Sequence, residues 1–361
     1  MSARILLLGT VLLSLAATNQ VSAQQQSWKF MVSGDSRNCG DVVMPAIAKR
    51  ARDENAAFYW HLGDYRAIFR FDQDYAQLHK PKGSSDTMSI SVYLSNAWQD
   101  FIENQLEPFG NVPVFLAFGN HELTPPKTRE ELIAQFSDWL DAAPIREQRL
   151  RDNPHDHRAK GHYHWMRDGI DFITLDNASP DQFDAQQLKW IHSTIDRDQA
   201  DPAVRAVVVG MHEALPESIG TSHSMDQFPV GQESGKKVYR WLVDFRRESN
   251  KPVYVLASHS HFYMEGIFNT PYWKDNGGIL PGWIVGTAGA ERYALPPKAT
   301  DAKAAKTNVY GYLVGIVSSS KEEPVRFEFR ELSESDVPAD VVQRFTPDFV
   351  HECWTGNSLV H

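Results

Sequence analysis

Residues 112–123 read VPVFLAFGNHEL, and this stretch decides how the rest of the chain is interpreted. The run 112–118 is apolar and rich in β-branched and aromatic residues, which is typical of a strand buried on both faces. It ends in Gly119, Asn120 and His121. Buried Asn and His side chains without partners cost free energy, and a ligand site at the end of the strand accounts for both. The stretch therefore predicts a buried strand that leads into a functional site.

Similar apolar runs recur along the chain, and helical patterns lie between several of them. The predicted strands span 30–32, 56–60, 112–118, 170–175, 204–209, 253–257, 283–285 and 312–317. The predicted helices span 42–55, 94–106, 129–140, 184–198 and 236–248, with Asp184 as an N-cap. Strands that alternate with helices indicate an α/β layered fold. No internal repeat or long linker divides the chain, so we expect one large domain over residues 24–361.

Residues that can bind metal ions follow five of these strands. They are Asp35, Asp64, Asn120, His212, and the pair His259 and His261. In α/β sheets, binding sites form outside the carboxyl ends of the strands, so side chains far apart in sequence can converge there. We therefore expect these six residues to lie together.

The chemistry of this set predicts a metal centre. Two carboxylates, one amide oxygen and three imidazoles form a mixed oxygen and nitrogen set that suits Zn, Mn or Fe. Six ligands exceed what one tetrahedral ion needs, so the set predicts two divalent metal ions about 3.5–4 Å apart, bridged by a carboxylate. Asp64 is the candidate bridge. His121 is expected to face the substrate, and Glu122 to orient its imidazole.

Each of these residues has a structural interpretation when it is taken alone. An Asp after a strand is more often a turn or cap residue than a ligand, and Asp176 is assigned to that class. His61, His162, His164 and His192 are likewise expected to be structural. The ordered occurrence of the six candidates at successive strand ends carries the prediction, because HxH or GNHE alone is not specific.

The order GD, GD, GNHE, H and HxH resembles that of the calcineurin-like metallophosphoesterases, which are related to purple acid phosphatases. The resemblance spans roughly residues 28–320 and includes HYHWMRDGIDFITLDN (162–177) and GWIVGTAGAERY (282–293). It implies an α/β fold of two mixed β-sheets packed face to face, with helices on both outer sides. It also implies which residues bind each metal ion: Asp35 and His261 the first, Asn120, His212 and His259 the second, and Asp64 both. His121 matches the family histidine that assists the leaving group or the transition state.

The chain departs from the family pattern at three positions. The first motif is usually Asp-x-His, and here Arg37 takes the place of the histidine; it cannot bind a metal ion but can clamp a phosphate oxygen. Ser258 stands where the family usually has Gly. The tyrosine ligand of the purple phosphatases falls at Ala67, so no purple chromophore is expected, although Tyr65 is close in sequence.

The N-terminus and the cysteines bear on localisation. Residues 1–23 contain a short apolar stretch and a small-residue cleavage pattern, which predict a signal peptide and a secreted or periplasmic protein. An uncleaved anchor is the alternative, and no other stretch is long enough to span a membrane. The two cysteines, Cys39 and Cys353, are interpreted equally well as one disulfide or as two buried thiols.

These features predict an exported hydrolase of a phosphate monoester or diester, in which a metal-bound hydroxide attacks phosphorus. The alternative is a weak or inactive protein that binds metal or a phosphorylated ligand, with turnover lost through Arg37. Phosphate-loop, GxSxG, GxGxxG and HExxH motifs do not occur in the sequence. The formal net charge of −10 argues against a nucleic-acid partner, and no sequence feature sets an oligomeric state.

Overall fold

The computed structural model describes residues 27–79, 88–178, 182–220 and 223–358. The predicted signal peptide lies outside the described residues. The strands are β1 Trp28–Ser33, β2 Tyr59–His61, β3 Val114–Leu116, β4 Tyr163–Arg167, β5 Ile170–Thr174, β6 Ala206–Gly210, β7 Val253–Ala257, β8 Tyr263–Glu265, β9 Gly282–Val285, β10 Ala304–Lys306, β11 Tyr310–Val317 and β12 Val325–Leu332.

Helices fill most of the connections. They are α1 Gly40–Asp53, α2 Gln73–His79, α3 Ile90–Phe101, α4 Arg129–Gln135, α5 Ser137–Leu140, α6 Ala143–Asp152, α7 Ala185–Ala200, α8 Pro229–Ser249, α9 Pro271–Asp275, α10 Ala339–Phe345 and α11 Pro347–Thr355. Asp184 caps α7 as predicted, because its carboxylate accepts a hydrogen bond from the Gln187 amide at 2.7 Å.

Two sheets organise the strands. The five-stranded sheet has the order β12-β11-β1-β2-β3, and the seven-stranded sheet has the order β10-β8-β9-β7-β6-β5-β4. The β1, β2 and β3 strands run parallel, whereas β11 pairs antiparallel with β1 and β12. In the larger sheet β5, β6, β7 and β9 are parallel, and antiparallel strands flank them. Both sheets are therefore mixed, as predicted.

Aromatic side chains fill the space between the two sheets. Phe30 and Phe58 of the smaller sheet each lie 5.1 Å, centroid to centroid, from Phe172 of the larger sheet. Trp60 meets Trp165 in the same way at 5.2 Å. Because side chains alternate across a strand, every second residue of these strands enters this layer and its neighbours face outward.

The outward faces are covered by helices. The hydroxyl of Tyr59, which alternates with Phe58 and Trp60, lies 3.5 Å from the sulfur of Met44 on α1. On the other side, Val209 of β6 shares a buried cluster with residues of α7 and α8. The predicted order of layers, two sheets packed face to face between outer helices, is confirmed.

All eight predicted strands are present, and four further strands were not predicted. Of these, β8 and β10 are three-residue strands with the sequences YME and AAK, and neither lies in a longer apolar run of the kind that revealed the three-residue strands β2 and β3. The strand β12 (VRFEFREL) carries charged residues between its apolar ones, and several of the charged residues are exposed, so it contains no continuous apolar run. The predicted helix 129–140 is broken at Phe136 into α4 and α5, and the predicted helix 236–248 begins earlier, at Pro229.

A disulfide joins Cys39, just before α1, to Cys353 in α11. The bond ties the last helix of the described chain to the loop that follows β1. Of the two interpretations left open by the sequence, the structure has the disulfide. Within the described ranges, no helix combines the length and apolar character that crossing a membrane requires.

Candidate metal centre

Five strands end at one place, and the six predicted ligand residues lie there. Asp35 follows β1, Asp64 follows β2 and Asn120 follows β3, while His212 follows β6 and the pair His259 and His261 follows β7. All six side chains lie within a few ångströms of at least one other member of the set. The convergence expected from the sequence is thus what the fold produces.

The backbone at this place is strained. Asp35, Asp64 and His259 have φ values of 60°, 59° and 64°, in the left-handed region that side-chain-bearing residues seldom adopt. Such conformations cost on the order of 1–3 kcal/mol each and cluster at functional sites. Gly63 has φ 95°, and a Cβ there would lie 2.4 Å from the backbone nitrogen of Gly119. Only glycine therefore allows the loops after β2 and β3 to approach this closely.

One group of ligand atoms surrounds His212. Its Nε2 lies 3.3 Å from Oδ1 of Asp64, 3.0 Å from Oδ1 of Asn120 and 3.0 Å from Nδ1 of His259. The ligand atoms of Asp64, His212 and His259 all lie within 4.8 Å of one another. Two imidazole nitrogens, a carboxylate oxygen and an amide oxygen directed at one point are a set that suits a divalent first-row metal ion.

A second group shares Asp64 with the first. Asp35, Asp64 and His261 also have ligand atoms within 4.8 Å of one another, and Oδ1 of Asp35 lies 3.3 Å from Nε2 of His261. Oδ2 of Asp35 accepts a hydrogen bond from the backbone amide of His259 at 2.7 Å. The position of Asp64 between the two groups is the one that a bridging carboxylate requires.

Two carboxylate oxygens in these groups are buried and lack a hydrogen-bond partner among the described residues. They are Oδ1 of Asp35 and Oδ2 of Asp64. Buried polar atoms are nearly always paired, and a bound cation would pair both oxygens. The residues present therefore fit metal ions at this place.

The histidines are oriented by hydrogen bonds on their far sides. Nδ1 of His212 donates to the carbonyl of Leu62 at 2.9 Å, and Nδ1 of His261 donates to the carbonyl of Glu291. Each bond leaves Nε2 unprotonated and directed at the carboxylates. Burial lowers the pKa of His259 and of His261 well below the usual histidine value, so both rings are neutral, which is the form that binds metal ions.

The two carboxylates have opposite electrostatic environments. Burial raises the pKa of Asp35 to about 7. Burial also opposes ionisation of Asp64, but the nearby His121, His212 and Arg37 hold the pKa of Asp64 below its usual value. These neighbouring groups therefore keep Asp64 ionised.

His121 lies beside these groups. Its Nδ1 donates to the carbonyl of Ala67 at 2.8 Å, and its Nε2 lies 3.7 Å from Oδ2 of Asp64. The expectation that Glu122 orients this imidazole is wrong. The Glu122 carboxylate instead accepts hydrogen bonds from the backbone amides of Asp64, Tyr65 and Gly119, at 2.9, 2.6 and 2.7 Å. Glu122 is better placed to hold the two loops than the ring, because it satisfies their buried N–H groups.

Arg37 points into the second group. Its Nη2 lies 3.1 Å from Nε2 of His261 and 3.3 Å from the hydroxyl of Tyr293, and its Nε lies 3.7 Å from Oδ2 of Asp64. The side chain is only 5% exposed. Burial opposes its charge, but Asp64, Tyr293 and Asp35 together more than offset this and raise the pKa of Arg37 above its ordinary value.

Three further residues at the site were not singled out from the sequence as site residues. The ring of Tyr293 stacks on His261 at 3.9 Å, and His223 stacks on the same tyrosine at 5.1 Å. The hydroxyl of Ser258, at the family's usual glycine position, donates to the Leu62 carbonyl at 2.7 Å. Tyr293 ends the stretch GWIVGTAGAERY, whose similarity to the family was the available signal.

The residues assigned to structural roles make contacts of that kind. His61 lies 2.9 Å from the Ser36 hydroxyl, and His192 pairs with a neighbouring aspartate on α7. His164 lies between two carboxylates, and Asp176 pairs with Arg129. The hydroxyl of Tyr65 donates to a backbone carbonyl at 2.7 Å, so this tyrosine does not take the place of the purple-phosphatase ligand.

Comparisons with known proteins identify the family and support the fold. A family model described as calcineurin-like phosphoesterase matches residues 29–263. Comparison with the curated proteins finds no match. Among solved structures, PhoD is similar at 14% identity over 92% of this chain and 78% of its own, with a TM-score of 0.53.

Two more solved structures have similar scores. The purple acid phosphatase PPD1 from yellow lupin (Lupinus luteus) seeds is 16% identical over 85% of this chain and 52% of its own, with a TM-score of 0.54. A dimetal phosphatase from Danio rerio is 12% identical over 84% of this chain and 95% of its own, with a TM-score of 0.52. At these identities the similarities show the fold. Because the family model covers more than half of the sequence, the chain belongs to the calcineurin-like phosphoesterase family.

Proposed function

We propose that this protein is an exported, metal-dependent hydrolase of a phosphate monoester or diester. The observation that carries the proposal is the pair of ligand groups that share Asp64 at the ends of five strands. Asp35 and His261 would hold one ion with Asp64, and Asn120, His212 and His259 would hold the other. The donor set favours Mn, Zn or Fe over metals that prefer thiolates.

The chemistry divides between the ions and the side chains. When bound, the ions would activate water for attack on phosphorus and offset charge on the phosphoryl oxygens. Arg37 would hold a phosphoryl oxygen with its planar guanidinium. His121 would act at Nε2, which faces the site because Nδ1 is engaged by Ala67. Because Nδ1 donates to Ala67, Nε2 carries a proton only in the imidazolium form, and that proton would pass to the leaving oxygen in the role of a general acid and leave a neutral ring.

Export is supported by two features. The sequence pattern of residues 1–23 is that of a signal peptide, and the disulfide between Cys39 and Cys353 is a bond that persists in oxidising compartments. Expression in a host with its export pathway intact, followed by mass analysis of the secreted or periplasmic protein, tests this proposal. We expect a mature N-terminus at Gln24. A product that keeps residues 1–23 and stays in the cytoplasm would contradict it.

One observation favours a second function. Nη2 of Arg37 already contacts Nε2 of His261, which is the atom that would bind the first ion. A site in which this arginine keeps that place would retain metal at the other group and bind a phosphorylated ligand without hydrolysing it. Metal analysis together with activity on generic chromogenic monoesters and diesters separates the two functions. We expect hydrolysis, and a metal-bearing protein that turns over none of these esters would favour the binding function.

A further inference from the structure

Residues 67–69, which follow the loop at Asp64, contact the ring of His121. The carbonyl of Ala67 accepts the hydrogen bond from Nδ1 of that histidine, and two residues later the ring of Phe69 lies 5.1 Å from the imidazole. Phe69 is therefore next to the group that is placed to act on the leaving oxygen. The nitrogen of Phe69 also donates to the carbonyl of Ala67 at 2.7 Å, which makes the turn tight.

The conformation of this turn directs the phenylalanine outward. Ile68 has a φ of 63°, and left-handed conformations are especially unfavourable for β-branched residues. Its own side chain is buried, whereas Phe69 is 57% exposed, the highest value among the large hydrophobic residues of the described segments. A strained turn that leaves an aromatic ring in water beside a reactive histidine is better explained by a ligand than by the stability of the fold.

A charged side chain lies beside the Phe69 ring. The guanidinium of Arg70 lies 5.5 Å from the centroid of Phe69 and forms an ion pair with Glu291. The backbone carbonyl of Glu291 accepts the hydrogen bond from His261. The ring is thus connected to the opposite side of the site through Arg70 and Glu291.

We propose that Phe69 is a stacking surface for the leaving group, and that preferred substrates are phosphoesters whose alcohol carries a flat ring. This inference rests on the proposed function, since it assigns the leaving group to the side of His121. Aryl phosphates and nucleotides share the required chemistry. Aromatic contacts beyond simple burial are worth a factor of roughly 2–10 in binding or rate, so the effect appears in selectivity.

The test compares kcat/KM for phenyl phosphate, a nucleoside monophosphate and glycerol phosphate. In Phe69→Ala we expect the ratio of phenyl to glycerol phosphate to fall roughly 3- to 10-fold from the wild-type ratio. Phe69→Leu, which is apolar but not flat, should lose most of the preference, and Phe69→Trp should keep it. Comparing ratios between variants cancels the intrinsic reactivity of each leaving group. Phe228→Ala, at an exposed phenylalanine before α8 that is 47% exposed, is the matched control.

The outcomes separate this inference from the proposed function. If the wild type hydrolyses these esters and Phe69→Ala leaves the ratio of phenyl to glycerol phosphate unchanged, Phe69 is not a stacking surface, and the proposal of a hydrolase is unaffected. If the wild type hydrolyses none of them, calorimetry with the same compounds replaces kinetics, and equal affinity for phenyl and glycerol phosphate would overturn the inference. A larger loss for the nucleoside monophosphate than for phenyl phosphate assigns the surface to nucleotides, and the reverse assigns it to aryl groups.

Discussion

Nη2 of Arg37 lies 3.1 Å from Nε2 of His261, on the edge of the ring that faces Oδ1 of Asp35. A positive guanidinium therefore lies among atoms that would bind the first metal ion. An ion at that position would compete with the guanidinium for Nε2 of His261. This contact places Arg37 where it can influence both the affinity for the first ion and turnover.

Substitution of Arg37 separates its two effects. Arg37→Lys should keep the metal content and lower kcat/KM, because an ammonium group lacks the planar pair of donors that matches two phosphoryl oxygens. Arg37→His should raise the affinity for the first ion, because it restores an imidazole at the usual ligand position of the family. Metal analysis and kinetics on the same preparations check both. Full metal content and undiminished turnover in Arg37→Lys would show that the guanidinium of Arg37 is not needed to bind a phosphoryl oxygen.

The shared carboxylate and its histidine partner test the ligand assignment. His259→Ala and Asp64→Asn should lower bound metal and activity together. Each substitution removes a ligand atom from a group whose ligand atoms lie within 4.8 Å of one another. His192→Ala, on an exposed helix position, is the control and should change neither quantity. A His259→Ala protein that retains full metal would show that this residue is not a ligand.

His121 is assigned to the reaction and not to metal binding. His121→Ala should lower kcat by roughly 10²–10⁴, the usual contribution of a general acid, while metal content stays at the wild-type value. A hydrogen bond from Nδ1 to the carbonyl of Ala67 holds the ring, and Nε2 lies 3.7 Å from Oδ2 of Asp64. Loss of metal from the variant would mean that the assigned role is wrong.

The sequence predicts the strands that lie in long apolar runs better than it predicts the short or partly exposed strands. Long apolar runs such as 204–209 and 253–257 identified central strands of the larger sheet, because burial on both faces leaves a strong pattern. The strands β8 and β10, at one end of the larger sheet, have three residues each and leave no such pattern. Ligand positions followed from strand ends, since parallel topology forces convergence there.

The contacts of individual side chains needed the structure. Glu122 is adjacent to His121 in sequence, yet its carboxylate bonds the backbone of the neighbouring loop. The proximity of Tyr293 to Arg37 spans more than two hundred residues, and no local pattern encodes such a contact. The exposure of Phe69 could not be predicted from the sequence either, because large aromatic residues are usually buried and a single one is assigned to the core by default.

The disulfide is expected to support the stability of the whole chain. Cys39 and Cys353 are 314 residues apart, and closing so long a loop restricts the unfolded chain, so removal of a native bond should cost about 2–5 kcal/mol. Denaturant unfolding of Cys353→Ser, compared with the wild type, checks this value. Mass analysis of unreduced peptides should show the two cysteines joined, and two free thiols in the mature protein would end the idea.

His164 predicts a pH dependence of stability at a distance from the metal centre. It is faced by Asp152 of α6, Asp171 of β5, and Arg197 and Asp198 of α7. Although burial opposes its charge, the carboxylates, Asp171 first, raise the pKa of His164 from 6.5 to about 10. The folded state therefore keeps a proton that the unfolded state loses above pH 6.5.

Stability should accordingly fall as pH rises from 6.5 to about 10, by at most about 1.4 kcal/mol per pH unit from this residue. The raised pKa of Asp198, about 9, acts in the same direction. Urea unfolding across this pH range should show a shallower slope in His164→Gln than in the wild type or His192→Gln. Equal slopes in all three would show that His164 does not carry the effect.

The central claim is that the shared ligand groups at the strand ends carry metal-dependent hydrolysis. The direct measurement removes metal from the wild type with a chelator, then adds back Mn, Zn or Fe while activity on chromogenic phosphate monoesters and diesters is followed. We expect activity to vanish with the metal and to return with at least one of these ions, and to stay absent in Asp64→Asn under the same treatment. Hydrolysis that persists after complete chelation, or that Asp64→Asn retains in full, would contradict the claim.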